Sequence, residues 1–297
     1  MVNEDFDIEK YRIEYPIDYL KALELILTSS NEDDVFKTIY QITRLHIPNT
    51  LFKYFSLNED IDLNELKFKT LSNQSIYLAD IKTLNDPFDT KALFFKSEHL
   101  LKHEELNRCK GKIFDDISSF SKISSFTSIG INCMPMWAHY SNNHQGFCVS
   151  YDMKETHNAK LSSCMFPIQY SDKRIDITPF IDTQLEQILS KKRQCMSIGQ
   201  KEILITDLSL VYIISLLSNI KHTSWSYENE FRCTAGALAE NSTFMPASPK
   251  EIYIGKNCSN ANAKKLTSIA TKLNTPIYKM SFNDYNTNYN LTPTLIR

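Results

Sequence analysis

Apolar residues recur at helical spacing in two segments near the start of the chain, and these segments predict a helical hairpin. Residues 17–29 place their Ile, Leu and Ala side chains largely three or four positions apart. Ser30 or Asn31 then begins a second segment, EDDVFKTIYQITRL, with acids in its first turn, where the helix dipole favours negative charge. The hairpin is predicted to end near Pro48.

After the hairpin, short aromatic and β-branched segments typical of strands are dispersed among helical ones. The predicted strands are 51–56, 75–80, 122–129, 146–152, 164–170, 230–237, 251–256 and 276–282. The predicted helices are 97–119, 178–198, 200–220 and 260–273, and a turn is predicted at 83–89. No regular βαβ order is visible. We therefore predict an α+β fold with a mixed, mostly antiparallel central sheet covered by helices.

The same pattern predicts how the chain is divided. Residues 1–48 are the N-terminal helical hairpin, and residues 49–297 are an α+β core domain with a helical insertion at about 178–220. The most apolar run, residues 208–217, is too short to cross a membrane and is interpreted as part of a buried helix. The first twenty residues are acidic and amphipathic, unlike a secretion signal. These features predict a cytoplasmic protein without a membrane partner.

Charge and composition narrow the classes of function. The chain has 33 basic and 35 acidic residues, a net charge of -2, so no bulk electrostatic attraction to nucleic acid is expected. Its seven cysteines are scattered without a C-x-x-C pair, which favours reduced thiols over a disulfide framework or a zinc site. The six glycines form no phosphate-binding or dinucleotide-fold motif.

One candidate for chemistry is the segment from Trp137 to Gly146, with His139, Tyr140 and His144 inside it. Its many polar groups are costly to bury unless they are paired. It is therefore either a bonded structural corner or a surface that faces a ligand. The two histidines are five apart and do not share a helical face, so no metal site is predicted.

A second candidate runs from Lys221 through Trp225 to Arg232. If Glu230 begins a strand, Glu228 and Glu230 project from the same face and repel, which raises the pKa of one carboxyl and suits a general base. The alternative is that Arg232 neutralises both acids in a ladder of charges on an exposed face.

Three shorter segments are weaker candidates. Asn85, Asp86 and Asp89 lie in the predicted turn, where Asx hydrogen bonds are the common use of such residues. Lys53-Tyr54 lies on the first core strand, and the segment from Ser125 to Ser128, which includes Thr127, carries hydroxyls along another strand. We expect these segments and the two candidates above to form one composite site.

In order along the chain, the motifs are LFKYFS, N-D-P-F-D, S-F-T, M-W-A-H-Y-x-x-x-H-x-G-F-C-V-x-Y-D and K-x-x-x-W-x-Y-E-x-E-F-R. Together they resemble the bacterial domain of unknown function 2971 family, across roughly residues 51–256. The hairpin before residue 48 lies outside this resemblance.

A second likeness is to ADP-ribosyltransferases of the arginine-serine-glutamate class. It implies that Glu230 stabilises an oxocarbenium-like ribosyl cation and holds a ribose hydroxyl, while Glu228 activates the acceptor. Ser125 or Thr127 would position the nicotinamide ribose, and Tyr140 or Trp137 would stack on the nicotinamide ring. The basic residue is Lys53 instead of Arg, and Phe126 interrupts the Ser-Thr-Ser pattern.

This second likeness implies an NAD-consuming transferase or glycohydrolase, acting as a toxin, effector or phage-defence enzyme, with NAD as substrate and a macromolecule as acceptor. The catalytic residues are then Glu230, Glu228 and His139. The binding residues are Lys53, Tyr54, Asn85, Asp86, Ser125, Thr127, Trp137, Tyr140, His144, Trp225 and Arg232. Two alternatives stay open: a sensor module that binds a nucleotide or a protein without turnover, and a metal-dependent nuclease using Asp86, Asp89, Glu228 and Glu230.

Overall fold

A computed structural model describes residues 7–28, 32–84, 86, 88–89, 91–94, 96, 98–99, 121–199, 218–236, 243–282, 285 and 287–296. Its helices are α1 (Ile8–Glu14), α2 (Tyr19–Thr28), α3 (Glu32–Tyr40), α4 (Ile61–Ser72), α5 (Met134–Tyr140), α6 (Ala159–Ser163), α7 (Thr178–Ser197) and α8 (Asn260–Leu273). A π-helical turn follows α3 at Gln41–Leu45, and short 3-10 turns lie at Ile81–Thr83, Thr156–Asn158 and Thr223–Glu228.

The strands are β1 (Thr50–Phe55), β2 (Ser75–Tyr77), β3 (Ala79–Asp80), β4 (Leu93–Phe94), β5 (Ser121–Thr127), β6 (Phe147–Asp152), β7 (Met165–Pro167), β8 (Gln169–Ser171), β9 (Ile175–Asp176), β10 (Ile220–His222), β11 (Glu230–Gly236), β12 (Phe244–Pro246), β13 (Glu251–Ile254), β14 (Ile277–Phe282) and β15 (Leu291–Leu295). Within the described residues the central sheet has the order β15-β14-β13-β6-β1-β5-β11-β7, with β3 paired to β5. Only the β13–β14 pair in it is parallel. The predicted α+β class with a mixed, mostly antiparallel sheet is confirmed.

Alternation along the strands gives the sheet two apolar faces. One face packs against α4 and α8 through residues such as Val149, Phe68 and Leu266. The other face packs against α5, where Trp137 meets Tyr54 on β1. Because paired residues project from the same side of a sheet, this second face also carries the side chains that lead to the candidate site.

The predicted N-terminal hairpin is confirmed in α2 and α3, which contact each other. Helix α1 was not predicted; Asp7 caps it by accepting bonds from the backbone N–H groups of Glu9 and Lys10. The hairpin is tied to the sheet at Tyr19, whose hydroxyl donates to the carbonyl oxygen of Pro167 at 2.6 Å. The predicted boundary near residue 48 remains a prediction.

Most predicted elements of the core agree with the structure, but α4 was missed. Asp60 caps α4 by accepting from the N–H of Leu63 at 2.9 Å, a signal that the sequence does contain. The predicted helices at 97–119 and 200–220 fall almost entirely outside the described residues. Ile220, assigned to the end of the second of these helices, is instead the first residue of strand β10. In the part of the chain that is described, no helix is long and apolar enough to cross a membrane.

Candidate functional site

The candidate site lies where the central sheet opens between β1 and β5. These strands are in register at one residue pair, Phe52 with Thr127, whereas β1 and β6 pair over six residues. A cavity of about 140 Å³ occupies the opening. Its wall is formed by Phe52, Lys53, Tyr54, Leu84, Asp86, Asp89, Ser125, Phe126, Thr127, Met136, Tyr140, Lys221, Trp225, Glu228 and Glu230.

Two buried glutamates share one lysine at the cavity wall. Glu230 begins β11, and Glu228 ends the preceding 3-10 turn, with Asn229 between them in the left-handed conformation (φ 41°). The Lys221 Nζ donates to Glu228 Oε2 at 2.7 Å and to Glu230 Oε2 at 2.9 Å. The two carboxylates therefore meet through a bend and a shared cation, and not through the alternation of a single strand as predicted.

Arg232 lies beneath this pair with no exposed surface. Its Nε donates to Glu230 Oε1 at 2.7 Å, and its Nη2 donates to Asp89 Oδ2 at 2.8 Å. A third bond runs from Nη1 to the carbonyl oxygen of Ser218 at 2.8 Å. The alternative predicted that Arg232 neutralises the acids on an exposed face. The ion pair is confirmed, but the exposed face is wrong, because the whole cluster is buried.

The environment separates the pKa values of the two glutamates. Burial raises the pKa of Glu228, and this outweighs the opposing effects of Lys221 and Tyr140. Burial acts in the same direction on Glu230, but Arg232 and Lys221 outweigh it and lower the pKa of Glu230 to about 2. Repulsion between the acids was predicted to raise one pKa; the main cause is burial.

Tyr140 and Thr127 fix the position of Glu228. The Tyr140 hydroxyl donates to Glu228 Oε1, and burial followed by this bond raises the pKa of Tyr140. The Thr127 hydroxyl donates to the backbone carbonyl of Glu228 at 2.5 Å and accepts from the N–H of Ile129 at 3.0 Å. Thr127 thus holds the turn that carries Glu228, and its hydroxyl proton is already donated within the protein.

Lys53 bridges the opening from the β1 side. Its Nζ donates to the carbonyl oxygen of Ser125 at 3.1 Å and lies 5.3 Å from the centre of the Phe126 ring. Burial lowers the pKa of Lys53 to about 8, although nearby Cys233 and Glu230 act in the other direction. The ion pairs of the described residues give Lys53 no carboxylate partner, unlike Lys221 and Arg232.

Nine of the predicted site residues come together at the cavity: Lys53, Tyr54, Asp86, Ser125, Thr127, Tyr140, Trp225, Glu228 and Glu230. Arg232 supports them from below without lining the cavity. Asn85 lies outside the described residues. His139 is exposed on α5 and is not among the residues of the cavity wall, so the catalytic role that was predicted for it does not fit this arrangement.

Trp137 and His144 form a structural corner instead of a ligand surface. Trp137 has no exposed surface, donates from Nε1 to the carbonyl oxygen of Ile131 at 2.7 Å, and meets the Tyr54 ring edge-on. Its face is stacked on the His144 ring at 5.8 Å. Because Trp137 has no exposed surface, the predicted stacking of Trp137 on a ligand is not compatible with this structure.

Lys221 and Asp89 were not predicted as site residues of the transferase, although both complete the cluster. Lys221 is only 6% exposed, and its Nζ also lies 3.7 Å from an oxygen of Asp89 and 4.8 Å from the centre of the Trp225 ring. In the sequence, Lys221 is the first residue of the K-x-x-x-W-x-Y-E-x-E-F-R motif and Asp89 is the last residue of the N-D-P-F-D motif.

Residues 136–233 match the model of a protein family described as "Protein of unknown function (DUF2971)". The predicted resemblance to this family is confirmed over that segment, about a third of the chain. The segment includes the Trp137 corner and, of the Lys221 cluster, Lys221, Glu228, Glu230 and Arg232; Asp89 lies outside it. No similar curated protein and no similar solved structure was found. The family description names no activity.

Proposed function

We propose that the protein cleaves the bond between nicotinamide and ribose in NAD, as an ADP-ribosyltransferase or an NAD glycohydrolase, at the cavity between β1 and β5. In this reaction the bond breaks with its electron pair passing to nicotinamide, and the ribose becomes an oxocarbenium-like cation. Water or a macromolecular acceptor then attacks and loses a proton. An activity of this kind suits a toxin, effector or phage-defence enzyme.

The observation that carries the proposal is the charge of the buried cluster. Asp89, Glu228 and Glu230 are three carboxylates that face two cations, Lys221 and Arg232, within 4 Å. Lys53 and Asp86 line the same cavity and add one charge of each sign. The ionised groups around the cavity therefore have one excess negative charge in a poorly solvated site, where charge interactions are strong. A cationic transition state forming beside it is stabilised without any rearrangement of the protein.

The two glutamates suit different steps because their environments differ. Glu230 is held as a permanent anion by Arg232 and Lys221, and it supplies constant negative charge to the ribosyl cation. Glu228 has the raised pKa expected of a group that takes up the proton of the acceptor. Opposed pKa values in one pair of carboxyls are a common basis for dividing such roles.

The size of the cavity defines which part of the substrate it accepts. Pockets that enclose a whole drug-sized ligand measure about 300–1,000 Å³, and this cavity measures about 140 Å³. It therefore takes one ring and part of its ribose. The aromatic rings of Phe52, Tyr140 and Trp225 at its wall provide the stacking surface.

The test is to incubate the purified protein with NAD, alone and with a cell lysate as acceptor, and to follow nicotinamide by chromatography. We expect release by the wild type and a loss of at least about 100-fold in Glu230→Gln and in Glu228→Gln, the scale seen when a group that stabilises transition-state charge is removed. Thermal unfolding of each variant checks that it is folded. If the wild type releases no more nicotinamide than Glu230→Gln under both conditions, the proposal is wrong.

A sensor module that binds a nucleotide without turnover is the second candidate, and one observation favours it. Every carboxylate oxygen of Glu228 and Glu230 already accepts a hydrogen bond from the protein. Saturable binding of NAD, with the ligand recovered unchanged, distinguishes this function from the first. The nuclease alternative gains no such support, because the Lys221 ammonium occupies the point between the carboxylates.

A further inference from the structure

Two cysteine thiols are in contact where β7 lies beside β11. Cys164 ends α6 and directly precedes β7, and Cys233 lies on β11, where it pairs in register with Met165. The Thr234 N–H donates to the carbonyl oxygen of Cys164 at 2.9 Å, which holds the two backbones side by side. The Cys233 thiol donates a hydrogen bond to the sulfur of Cys164. The two sulfurs are therefore neighbours in the fold, although they are far apart in the sequence.

The two thiols differ in their access to solvent. Cys233 has no exposed surface and packs in the core, where its sulfur is also 3.4 Å from that of Met245. Cys164 is partly exposed at the end of α6 and packs against the same core. A small oxidant that arrives from solvent therefore meets Cys164 before Cys233.

The two thiols also differ in their protonation. The pKa of Cys164 is lowered to about 6, chiefly by the hydrogen bond from Cys233. Ser163, Lys160 and Arg44 act in the same direction, and burial opposes them. The pKa of Cys233 is raised well above its ordinary value, first by its bond to Cys164 and then by burial. Because the thiolate is the reactive form of cysteine, Cys164 is the nucleophile at neutral pH, and Cys233 stays a protonated thiol beside it.

A partly exposed, ionised cysteine in contact with a second thiol has the features of a redox-sensitive pair. We propose that Cys164 and Cys233 are a peroxide-sensitive pair, in which hydrogen peroxide oxidises Cys164 and Cys233 converts the product to an intramolecular disulfide. This inference does not rest on the proposed function, because neither cysteine belongs to the wall of the cavity between β1 and β5.

The reaction has two balanced steps. The Cys164 thiolate attacks one oxygen of hydrogen peroxide, the O–O bond breaks, and hydroxide leaves, so that Cys164 becomes a sulfenic acid. The Cys233 sulfur then attacks the Cys164 sulfur, the S–O bond breaks, and the leaving hydroxyl takes the Cys233 proton to form water. Two thiols are oxidised to one disulfide, and one peroxide is reduced to two molecules of water.

The disulfide would join β11 to the connection between α6 and β7. Cys233 directly follows Arg232 on β11, the strand that begins with Glu230. It is also close enough to Lys53 to raise the pKa of that ammonium group. The reduced and oxidised forms of the protein therefore differ on the strand that carries part of the buried cluster.

Peptide mapping after oxidation tests the pair. The folded protein is treated with hydrogen peroxide, its remaining thiols are blocked with iodoacetamide, and it is digested with trypsin without a reductant. Cleavage gives peptides 161–173 and 233–250, each with a single cysteine. We expect these two peptides to be linked in wild type, to separate with dithiothreitol, and to stay unlinked in Cys164→Ser and Cys233→Ala. Cys195→Ser, at another partly exposed cysteine on α7, is the matched control and should give the link as wild type does.

A second measurement tests the roles of the two thiols. In Cys233→Ala the reaction should stop at the sulfenic acid of Cys164, which dimedone traps. Alkylation of Cys164 in the otherwise unchanged protein should reach half its maximal rate near pH 6. In Cys233→Ala this midpoint should move up toward that of an ordinary cysteine, because the hydrogen-bond donor is gone. An unmoved midpoint would overturn the role given to Cys233.

The decisive outcome needs no variant. If peroxide gives no linked peptides from folded wild type, or gives as much of the link from protein unfolded in urea, the proposed pair is overturned. A link that forms in the folded protein and is lost in urea supports it, because only the fold brings the two sulfurs together.

Discussion

Two polar blocks of the sequence look equally capable of chemistry, and the structure gives them opposite surroundings. In the block from Trp137 to Gly146, the side chains of Trp137, Ser141 and Asn142 donate to backbone carbonyls and the Trp137 and His144 rings are stacked. Only Met136 just before this block and Tyr140 within it reach the cavity. In the block from Lys221 to Arg232, side-chain charges satisfy one another at the cavity wall. Composition alone does not separate a structural corner from a charged site; the partners of each polar atom do.

The backbone of the first block shows what those polar residues are for. Asn142, Asn143 and His144 have φ values of 52°, 53° and 64°, three successive residues in the left-handed region. This turn brings the chain back so that the Gly146 N–H donates to the carbonyl oxygen of Ser141 at 2.7 Å. A Cβ on Gly146 would lie 1.9 Å from the carbonyl oxygen of Phe55. The amide residues and the glycine at these positions are therefore explained by the backbone conformation of the turn, and not by contact with a ligand.

Of the substitutions that distinguish the two blocks, Lys221→Met is expected to change the stability most. This change leaves Glu228 and Glu230 buried without their shared cation, and breaking a buried ion pair typically costs about 3–5 kcal/mol. We expect the free energy of unfolding, measured in urea, to fall by that amount. Lys265→Met is the control, because Lys265 pairs with Glu65 at the surface, where such a pair contributes about 0–1 kcal/mol. Equal losses in the two variants would contradict the cluster described here.

A smaller effect is expected from pH. Glu230 has a folded-state pKa of about 2, below its ordinary value of 4.5, so its contribution to stability is present above pH 4.5 and is lost as the pH falls through 4.5 toward 2. The loss is on the order of 2–3 kcal/mol. The raised pKa of Glu228 acts in the opposite direction. As the pH falls, Glu228 takes up its proton in the folded protein at a higher pH than in the unfolded chain. Protonation of Glu228 therefore offsets part of the loss.

Urea unfolding at several pH values between 2 and 5 measures how the free energy of unfolding decreases as the pH falls. In Glu230→Gln this decrease should be distinctly smaller than in wild type, because the group with the lowered pKa is gone. Glu186→Gln is a suitable control, since Glu186 is an exposed carboxyl on α7. If the free energy of unfolding of Glu230→Gln decreased as steeply with falling pH as that of wild type, Glu230 would not be held as an anion by Arg232.

The sequence was sufficient for the fold class and for most elements, because strands such as 146–152 and helices such as 260–273 carry strong periodic signals. It was also sufficient to group Lys53, Tyr140, Glu228 and Glu230 into one site. It could not show that Lys221 lies between the glutamates, because that contact depends on how a short 3-10 turn and Asn229 bend the chain. It could not show that Trp137 faces Tyr54 and His144, because helix α5 is too short to reveal its buried side by periodicity.

The smallest expected effect is the difference in stability between glycine and alanine variants in the left-handed turn. The sign of this difference is what identifies the turn. At Asn143, with φ 53°, an L-residue without a local hydrogen bond is disfavoured by about 1 kcal/mol relative to glycine. Asn143→Gly should therefore be more stable than Asn143→Ala by about that amount. At Lys191, an exposed position within α7, the order should be reversed, because glycine in a helix interior is about 1 kcal/mol worse than alanine. Thermal unfolding of the four variants gives both differences. The same order at both positions would mean that the turn is not left-handed, and the polar residues of the Trp137 block would then need a different explanation.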